Sequence, residues 1–377
     1  MERNQVALQG WSVTPAPKLF VALELANGKW RVAASDGGSK VSEYTMCAGD
    51  GARLLQIIER ARSRFGLSNE APVLSCYEAG RDGFWLHRFL VANGVANIVV
   101  DAASIEVNRR SRRAKTDRID VRNLLAKLVR FEAGDRSAWS VLRVPTQGEE
   151  DARREHRERE RLVKERRAHV GRMKSLLVLH NLRAKNVGGR GWRQRLAALD
   201  VPPKLRAELQ RETDRLALVN RQIAELEREH AQSLTQSNEP AFAKERRLRQ
   251  LRAVGKVGAW GLVQELFGWR RFNNRRQLAG SVGLGSSPHS SGDMEHDQGI
   301  SKAGNARVRT LSVELAWQWL RFQSDSALAK WYQARFGAGS GRSRRVGIVA
   351  LARRLLIALW RFVEHGVVPH GAKLKAA

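Results

Sequence analysis

Cysteine is scarce in this sequence. Among 377 residues only Cys47 and Cys76 occur, and neither belongs to a CxxC pair or to a cluster of histidines and cysteines. The missing spacing argues against a structural zinc site, because such sites draw several cysteine or histidine ligands from short motifs. Two isolated cysteines fit a protein of the reducing cytoplasm.

Long apolar runs are also absent. No stretch reaches the roughly 18 uninterrupted apolar residues that mark a membrane-spanning helix, and the best candidate, 346–363, is broken by three arginines. Near the start, Glu2 and Arg3 stand without an apolar segment behind them, which is unlike a secretory signal. We expect a cytoplasmic protein with no membrane association, in which residues 1–17 form a loose leader.

Acidic residues are few relative to basic ones. The chain has 38 aspartates and glutamates against 67 lysines and arginines, which gives a net charge of +29 and a pI near 11.3. This balance is unlike that of a typical enzyme of small metabolites and indicates a polyanionic partner. Binding to a membrane surface is the rival explanation, but the arginines are spread over the whole chain.

Segment 18–135 is predicted to be an α/β domain. Leu19–Leu25 is an almost continuous apolar run, as in a strand buried on both faces, and the Asn27-Gly28 pair behind it is a hairpin signal. Two more strands follow, up to Cys47, and the remainder alternates helix, strand, helix, strand, helix. Three antiparallel strands followed by this alternation is the element order of the ribonuclease H-like fold.

Two aspartates open the last helix of this segment, in the run KTDRID at 115–120. Their spacing on a helix places Asp117 and Asp120 on one face, with Cβ atoms roughly 5–6 Å apart. Magnesium takes one or two carboxylates from such a segment, so the pair is half of a metal site. The alternative is that Thr116 caps the helix and both aspartates complement its positive end.

Further carboxylates are expected at the same place. Glu24 lies at the end of the first strand and Glu78 at the end of the fourth, and in a ribonuclease H-like fold these ends and the late helix converge on one site. Converging carboxylates suit phosphodiester chemistry with two metal ions. We expect two Mg²⁺ ions, with Mn²⁺ as a possible substitute. Individually, Glu24 could be a strand-edge charge and Glu78 a turn residue.

Segment 146–235 is predicted to be a helical, coiled-coil hairpin. Apolar residues repeat at heptad spacing from Val163 to Leu177 and again from Leu205 to Leu226. The glycines of 188–191 and the run Asp200–Pro203 separate the two helices. Such a hairpin is either a spacer with internally buried seams, or it serves in dimerisation or in holding nucleic acid along its arginine-rich face. The arginines of 152–167 are plausible backbone contacts in the last case.

Segment 245–370 is predicted to be an all-α domain. It starts with a glycine-hinged turn, Leu251–Ala259, that resembles a helix-hairpin-helix element, whose exposed amides hold a backbone phosphate without reading bases. Ordinary turn chemistry would also explain these glycines. A loop rich in glycine and serine, Gly283–Gly299, follows and is expected to be flexible, and a new helix begins near Arg307.

Three motifs carry a resemblance to a known family: YEAG at 77–80, KTDRID at 115–120, and SSG at 290–292 followed by ISKAGN at 300–305. The chain resembles the insertion-sequence transposases of the IS-one-ten group, DEDD transposases with a RuvC-like first domain and a serine-bearing second domain. The family quartet of Asp, Glu, Asp and Asp falls here on Glu24, Glu78, Asp117 and Asp120. The first member departs from the pattern, because glutamate is longer than aspartate by one methylene.

The resemblance implies a catalytic serine and several partners. The motif places the nucleophile at Ser291, with Ser290 as the alternative, and implies a covalent phosphoserine link to DNA. It further implies donor and target DNA, a non-coding bridge RNA that pairs with both, and a homo-oligomer, either a dimer or a tetramer. The predicted nucleic-acid contacts are Arg109, Arg110, Arg112, Arg113, Lys115, Gly255, Lys256, Gly258, Lys302, Asn305 and Arg307.

Two other functions are compatible with the residues. One is a RuvC-like, structure-specific endonuclease that uses metal-activated water and forms no covalent intermediate. The other is a basic nucleic-acid-binding protein whose metal site has decayed, a reading suggested by Glu24. The sequence favours a transposase that acts as a DNA recombinase.

Overall fold

The computed structural model describes residues 17–80, 82–105, 117–291 and 294–375; within these ranges, the side chains of Ala103, Asp117, Arg118 and 286–298 are outside the description. The chain divides into two compact units, and the division falls between Val144 and Pro145. The predicted boundary between the first and second segments, 135 to 146, spans this point. No helix of the described residues combines the length and the apolar content needed to cross a membrane.

A mixed five-stranded sheet forms the framework of the first unit. Its strands are β1 (Leu19–Leu25), β2 (Lys29–Ser35), β3 (Ser42–Cys47), β4 (Val73–Glu78) and β5 (Ala96–Val100). The spatial order is β3-β2-β1-β4-β5, in which β1, β2 and β3 pair antiparallel while β4 and β5 extend the sheet parallel to β1. The predicted order of elements is therefore confirmed.

Three helices accompany the sheet: α1 (Gly51–Arg64), α2 (Trp85–Ala92) and α3 (Asp117–Glu132). Asp50 caps α1 by accepting a hydrogen bond from the backbone N–H of Arg53 at 2.9 Å, as its position before an apolar stripe predicts. Helix α3 packs on one face of the sheet through buried Val121, Leu124, Leu125 and Leu128. This packing fixes the position of the helix that begins with the two aspartates.

The second unit is mainly helical. Its helices are α4 (Gln147–Asp151), α5 (Arg153–Val178), α6 (Trp192–Ala198), α7 (Pro203–Gln236), α8 (Pro240–Arg249), α9 (Lys256–Leu262), α10 (Arg275–Ser281), α11 (Ala306–Phe322), α12 (Ala327–Tyr332) and α13 (Gly341–His365). Two short π-helical turns, Val263–Phe267 and Gln333–Gly337, continue α9 and α12. The core of the C-terminal part is built around Trp319 and the apolar face of α13.

Helices α5 and α7 form the predicted helical hairpin. Met173 and Leu177 of α5 are fully buried against Leu209 and Leu216 of α7. The connection is more structured than expected, because it contains α6. Trp192, the first residue of α6, is buried in the same cluster and donates a hydrogen bond from its indole N–H to Thr213 of α7 at 2.9 Å.

The stretch Gly283–Gly299 is not a loop, and this prediction was wrong. Two antiparallel strands, β6 (Ser286–Ser291) and β7 (Met294–Ile300), form a hairpin. Serine and glycine have low strand propensity, and the segment lacks the alternation of apolar residues that marks a half-buried strand. A two-stranded ribbon of this kind depends on backbone hydrogen bonds and on its attachment at the base.

Two glycines join the base of the hairpin. Gly283 and Gly304 have positive φ values of +67° and +72°, and a Cβ added to either would collide with the backbone of the other segment, at Ala303 or Ser281. The amide N–H of Asn305 donates to the carbonyl of Ser281 at 2.9 Å across this contact. The AGN part of the 300–305 motif therefore closes the two ends of the hairpin against each other.

Substitution of Gly304 tests this contact. Gly304→Ala should destabilise the protein by about 2–5 kcal/mol, because the left-handed backbone strains a residue with a Cβ and the added methyl overlaps the backbone near Ser281. The matched control is Gly171→Ala in α5, where a Cβ meets nothing within 4 Å. An alanine in that helix should stabilise by about 0.5–1 kcal/mol. Urea unfolding of both variants gives the two free energies, and equal effects would contradict the described contact.

Candidate functional site

Glu24 and Glu78 lie at the same edge of the sheet. In the parallel pairing of β1 with β4, Leu23 lies opposite Tyr77. Glu24 and Glu78 are the next residues of their strands, so they are neighbours where both strands approach their carboxyl ends. Glu24 is half-buried and Glu78 is exposed. Both side chains also take part in further polar interactions within the structure.

The two glutamates also belong to the face of the sheet that α3 covers. Ala22 and Cys76 contact α3 in the buried core. Glu24 and Glu78 each follow one of these residues by two positions, and alternate residues of a strand point to the same face. The strand pattern therefore directs both carboxylates toward the side of the sheet that carries α3.

Two ion pairs fix the direction in which α3 crosses the sheet. Lys18, directly before β1, binds Glu132 at the end of α3 with an N–O distance of 2.7 Å. Arg122, near the start of α3, pairs with Glu43 of β3. Because the end of α3 lies beside the start of β1, the helix runs antiparallel to β1. Its first turn therefore lies toward the edge at which β1 ends.

Positions 117 and 120 occupy that first turn. Each precedes by four residues a side chain that packs on the sheet, Val121 or Leu124, and residues four apart share a helix face. Asp120 is half-buried. Among side chains that the structure describes, no group of three acidic, histidine or cysteine residues is close enough to hold a metal ion. The side chain of Asp117 lies outside that set.

Ser291 is the last residue of β6. Its backbone pairs with that of Met294, and Ser290 pairs with Glu295. Register also places His289 opposite His296. Both serine candidates thus lie at the end of the hairpin remote from the Gly283 and Gly304 contact. The structure gives the predicted nucleophile a defined backbone position in place of the expected flexible loop.

A buried carboxylate connects α5 to the base of this hairpin. Glu265, with 2% of its side chain exposed, accepts two hydrogen bonds from the guanidinium of Arg157, at 2.6 and 2.9 Å. The side-chain amide of Asn305 donates a third, at 3.0 Å. Asn305 also caps α11 by accepting from the N–H groups of Arg307 and Val308. Glu265 therefore fixes both Arg157 of α5 and Asn305, the residue that closes the base of the hairpin.

The pKa of Glu265 is lower than the ordinary value of a glutamate, as expected for a carboxylate that is paired with a cation. Burial by itself raises the pKa, but the hydrogen bonds and the charge of Arg157, together with the Asn305 amide, hold it below the ordinary value. The same pairing raises the pKa of Arg157. Nearby, burial lowers the pKa of His156. Glu265 is therefore ionised at neutral pH and holds Arg157 firmly.

Six basic side chains line a groove of about 600 Å³ along α5: Arg153, Arg154, Arg157, Arg161, Lys164 and Arg307. Two carboxylates, Glu150 and Glu158, share the lining, so the groove carries an excess of positive charge. Arg307 was a predicted nucleic-acid contact and also pairs with Glu160. The α5 arginines belong to the arginine-rich stretch of the hairpin for which nucleic-acid contacts are one of the predicted roles. The spacing of four residues from Arg153 to Arg157 and from Arg157 to Arg161 places these three on one helix face.

The glycine-hinged turn lies between α8 and α9, as predicted. Gly255 is exposed at the start of α9, whereas a Cβ at Gly258 would lie 3.1 Å from Leu315 of α11, so Gly258 has a packing role. Lys256 is exposed. Lys302 has a positive φ of +59° near the hairpin base. Contacts of these residues with nucleic acid stay predictions, and the basic run Arg109–Lys115 lies outside the described residues.

Comparison with known proteins identifies the family. The family model described as "Transposase IS116/IS110/IS902 family" matches residues 245–333. The protein y4rJ of Sinorhizobium fredii, which is named as a transposase, is 41% identical over 380 residues that cover 95% of this chain and 94% of its own length. The chain belongs to the IS116/IS110/IS902 transposase family. It is therefore an insertion-sequence transposase, an enzyme whose substrate is DNA.

Other relatives agree with this assignment. The S. fredii protein y4qE, also named as a transposase, is 30% identical over 82% of this chain and 73% of its own length. The transposase for insertion sequence element IS1111A of Coxiella burnetii is 26% identical over 61% of this chain and 63% of its own length. The segment that matches the family model contains Glu265, the β6–β7 hairpin and Asn305. The resemblance drawn from the motifs is confirmed.

Proposed function

We propose that this transposase is a metal-assisted serine recombinase with a ribonuclease H-like first unit. The observation that supports the proposal most strongly is the placement of Glu24 and Glu78. They end neighbouring parallel strands, on the face covered by α3, and the antiparallel course of α3 brings its first turn toward the same edge. The order and directions of the five strands also agree with that fold.

The acidic quartet would hold the metal ions. Glu24, Glu78, Asp117 and Asp120 supply only carboxylate oxygens, the hard ligands that Mg²⁺ and Mn²⁺ prefer. When two such ions are bound, they polarise a scissile phosphate and neutralise charge on its oxygens. Glu24 reaches further than the aspartate usual in the family, and its position in β1 leaves room for that length because it is only half-buried.

Ser291 would supply the nucleophile. Its hydroxyl oxygen bonds to phosphorus while the bond between phosphorus and the deoxyribose oxygen breaks; the serine proton passes to solvent and the departing oxygen takes up a proton. The acidic quartet, from the same or from a partner subunit, would act on the same phosphate. Rejoining reverses these steps with a different DNA end, so no external energy source is required.

The partners follow from the same proposal. Exchange between donor and target DNA requires at least two active centres, so the active form would be a dimer or a tetramer. A bridge RNA would select both sequences by base pairing, while the protein grips phosphate backbones. The net charge of +29 supports this division of labour, because backbone contacts depend on lysine and arginine.

A strand-exchange assay with purified protein, RNA, donor and target DNA tests the serine. Ser291→Ala should abolish product, because it removes the attacking oxygen, whereas Ser290→Ala should retain most activity. Ser290 is the preceding residue of the same strand, so Ser290→Ala controls for the loss of a hydroxyl group from β6. Full exchange by the Ser291 variant would overturn the assignment. Cleavage without exchange would instead favour a RuvC-like endonuclease, and DNA binding without cleavage would favour a decayed site.

A further inference from the structure

Arg153 is an unusual member of the α5 groove. Only 7% of this residue is exposed, and its Nε is buried without a hydrogen-bond partner. Its guanidinium lies 4.8 Å from the ring centroid of Trp269. Among the residues that the structure describes, it forms no ion pair within 4 Å. Burying a charge without pairing it is costly, so this arginine is a strong candidate for an external anion.

The pKa of Arg153 agrees with this description. Burial lowers the pKa and the neighbouring charge of Arg157 lowers it further, whereas the carboxylates of Glu265 and Glu150 offset part of this decrease. The net decrease means that the charged form is penalised in the absence of a bound anion, although an arginine keeps its charge at any ordinary pH. An anion in the groove would therefore relieve an electrostatic penalty that already exists in the folded protein.

Lys164 is the second groove cation without a carboxylate partner among the described residues. It is exposed, and it lies eleven residues after Arg153 on α5. The other four cations already have partners: Arg154 binds Asp151, Arg157 binds Glu265, Arg161 binds Glu158, and Arg307 binds Glu160. Two cations, one deep and one at the surface, thus remain for a ligand.

The spacing of the groove cations indicates an extended ligand. Arg153, Arg157, Arg161 and Lys164 follow one another at intervals of four, four and three residues, which keeps them on one helix face. At about 1.5 Å per residue they extend over roughly 16 Å. A single small anion would occupy only part of that length, whereas a polynucleotide backbone presents regularly spaced negative charges along all of it.

We propose that the α5 groove binds the phosphodiester backbone of a nucleic acid, with Arg153 as its buried anchor and Lys164 as a second contact. The proposal rests on the proposed function for the kind of partner, and it adds the surface and the residues that hold it. Arg157, which is held by Glu265, lines the groove between Arg153 and Lys164. A phosphate bound to Arg153 would therefore lie beside Arg157. Arg157 and Asn305 both donate hydrogen bonds to Glu265.

Binding measurements on the full chain, with EDTA present to prevent cleavage, test the groove. Arg153→Met and Lys164→Met should each weaken binding of a 40-base-pair DNA duplex or a 40-base-pair RNA duplex about fivefold to tenfold near 0.1 M salt. Each variant should also reduce the slope of log affinity against log salt by about 1. The control, Arg228→Met, removes an exposed charge on α7 outside the groove and should cause less than a twofold change.

The two duplexes separate the possible sources of phosphate. Loss confined to DNA assigns the groove to the DNA substrate, and loss confined to RNA assigns it to a guide RNA; either result supports the proposal. Lys164 is exposed, so its variant keeps the test valid if Arg153→Met fails to fold. If both folded variants bind both duplexes as Arg228→Met does, the proposal is wrong. This result would not bear on Ser291, because no cleavage step is measured.

Discussion

Glu78→Gln should lower strand exchange at least about a thousandfold, which corresponds to about 4 kcal/mol of activation free energy. The amide keeps the size and shape of the side chain but removes the negative charge that a divalent cation requires. Glu78 is exposed at the end of β4, so the fold should tolerate the change. The measurement is the initial rate of exchange at saturating magnesium, beside the thermal unfolding of the same sample.

Two controls make this result specific. Glu70→Gln alters an exposed glutamate before the start of β4, at the opposite end of that strand from Glu78, and should leave the rate unchanged within twofold. Glu24→Asp restores the residue usual in the family and should keep activity, whereas Glu24→Gln should lose it as Glu78→Gln does. Undiminished exchange by both glutamine variants would show that the acidic edge of the sheet does not hold the metal ions.

Glu265→Ala should destabilise the protein by about 3–5 kcal/mol, because it removes three hydrogen bonds to a buried carboxylate and leaves a cavity in its place. Glu265 is 2% exposed and receives hydrogen bonds from Arg157 and Asn305. Removal of this carboxylate would leave the guanidinium of Arg157 beside buried Arg153. It would also remove the hydrogen bond that links Asn305, the cap residue of α11, to the π-helical turn Val263–Phe267. Urea unfolding at neutral pH gives the free energy directly.

A control substitution tests whether the effect is specific to Glu265, and the pH dependence of the destabilisation provides a second test. Glu225→Ala, which removes a carboxylate with 44% of its side chain exposed and an Arg221 contact of 3.9 Å, should change stability by less than about 0.5 kcal/mol. Because the pKa of Glu265 is lower in the folded protein, its contribution is present above the ordinary pKa and is lost as the pH falls through the folded value. A destabilisation below 1 kcal/mol, or one that is as large at acidic pH as at neutral pH, would contradict the role given to Glu265.

The sequence predicts the first unit well because its signals are local. Leu19–Leu25 is apolar throughout, as a central strand covered on both faces must be, and Asn27-Gly28 directs the chain into an antiparallel hairpin. The neighbouring positions of Glu24 and Glu78 need one further fact, the parallel register of β1 with β4, which only the structure supplies.

The second unit is harder to predict because its decisive contacts are distant in sequence. Arg157 and Glu265 are separated by 108 residues, and neither belongs to a motif. The sequence of Ser286–Ile300 lacks alternating apolar residues, so it resembles the sequence of a loop. The stability of the hairpin depends on the close approach of Gly283 and Gly304. The two glycines permit this contact, but their presence in the sequence does not predict it. Arg153 likewise contacts Trp269, which is 116 residues later in the sequence and lies in the turn after Val263–Phe267.

Identification of the amino acid that becomes joined to DNA tests the account most directly. The complete reaction is stopped by denaturation, the DNA is digested with nuclease, and the protein is analysed by mass spectrometry after proteolysis. Our account predicts a nucleotide attached to Ser291 in the β6–β7 hairpin, formed only when magnesium is present and absent from the Glu78→Gln protein. Complete strand exchange without any protein-linked nucleotide, or with the nucleotide on another residue, would contradict it.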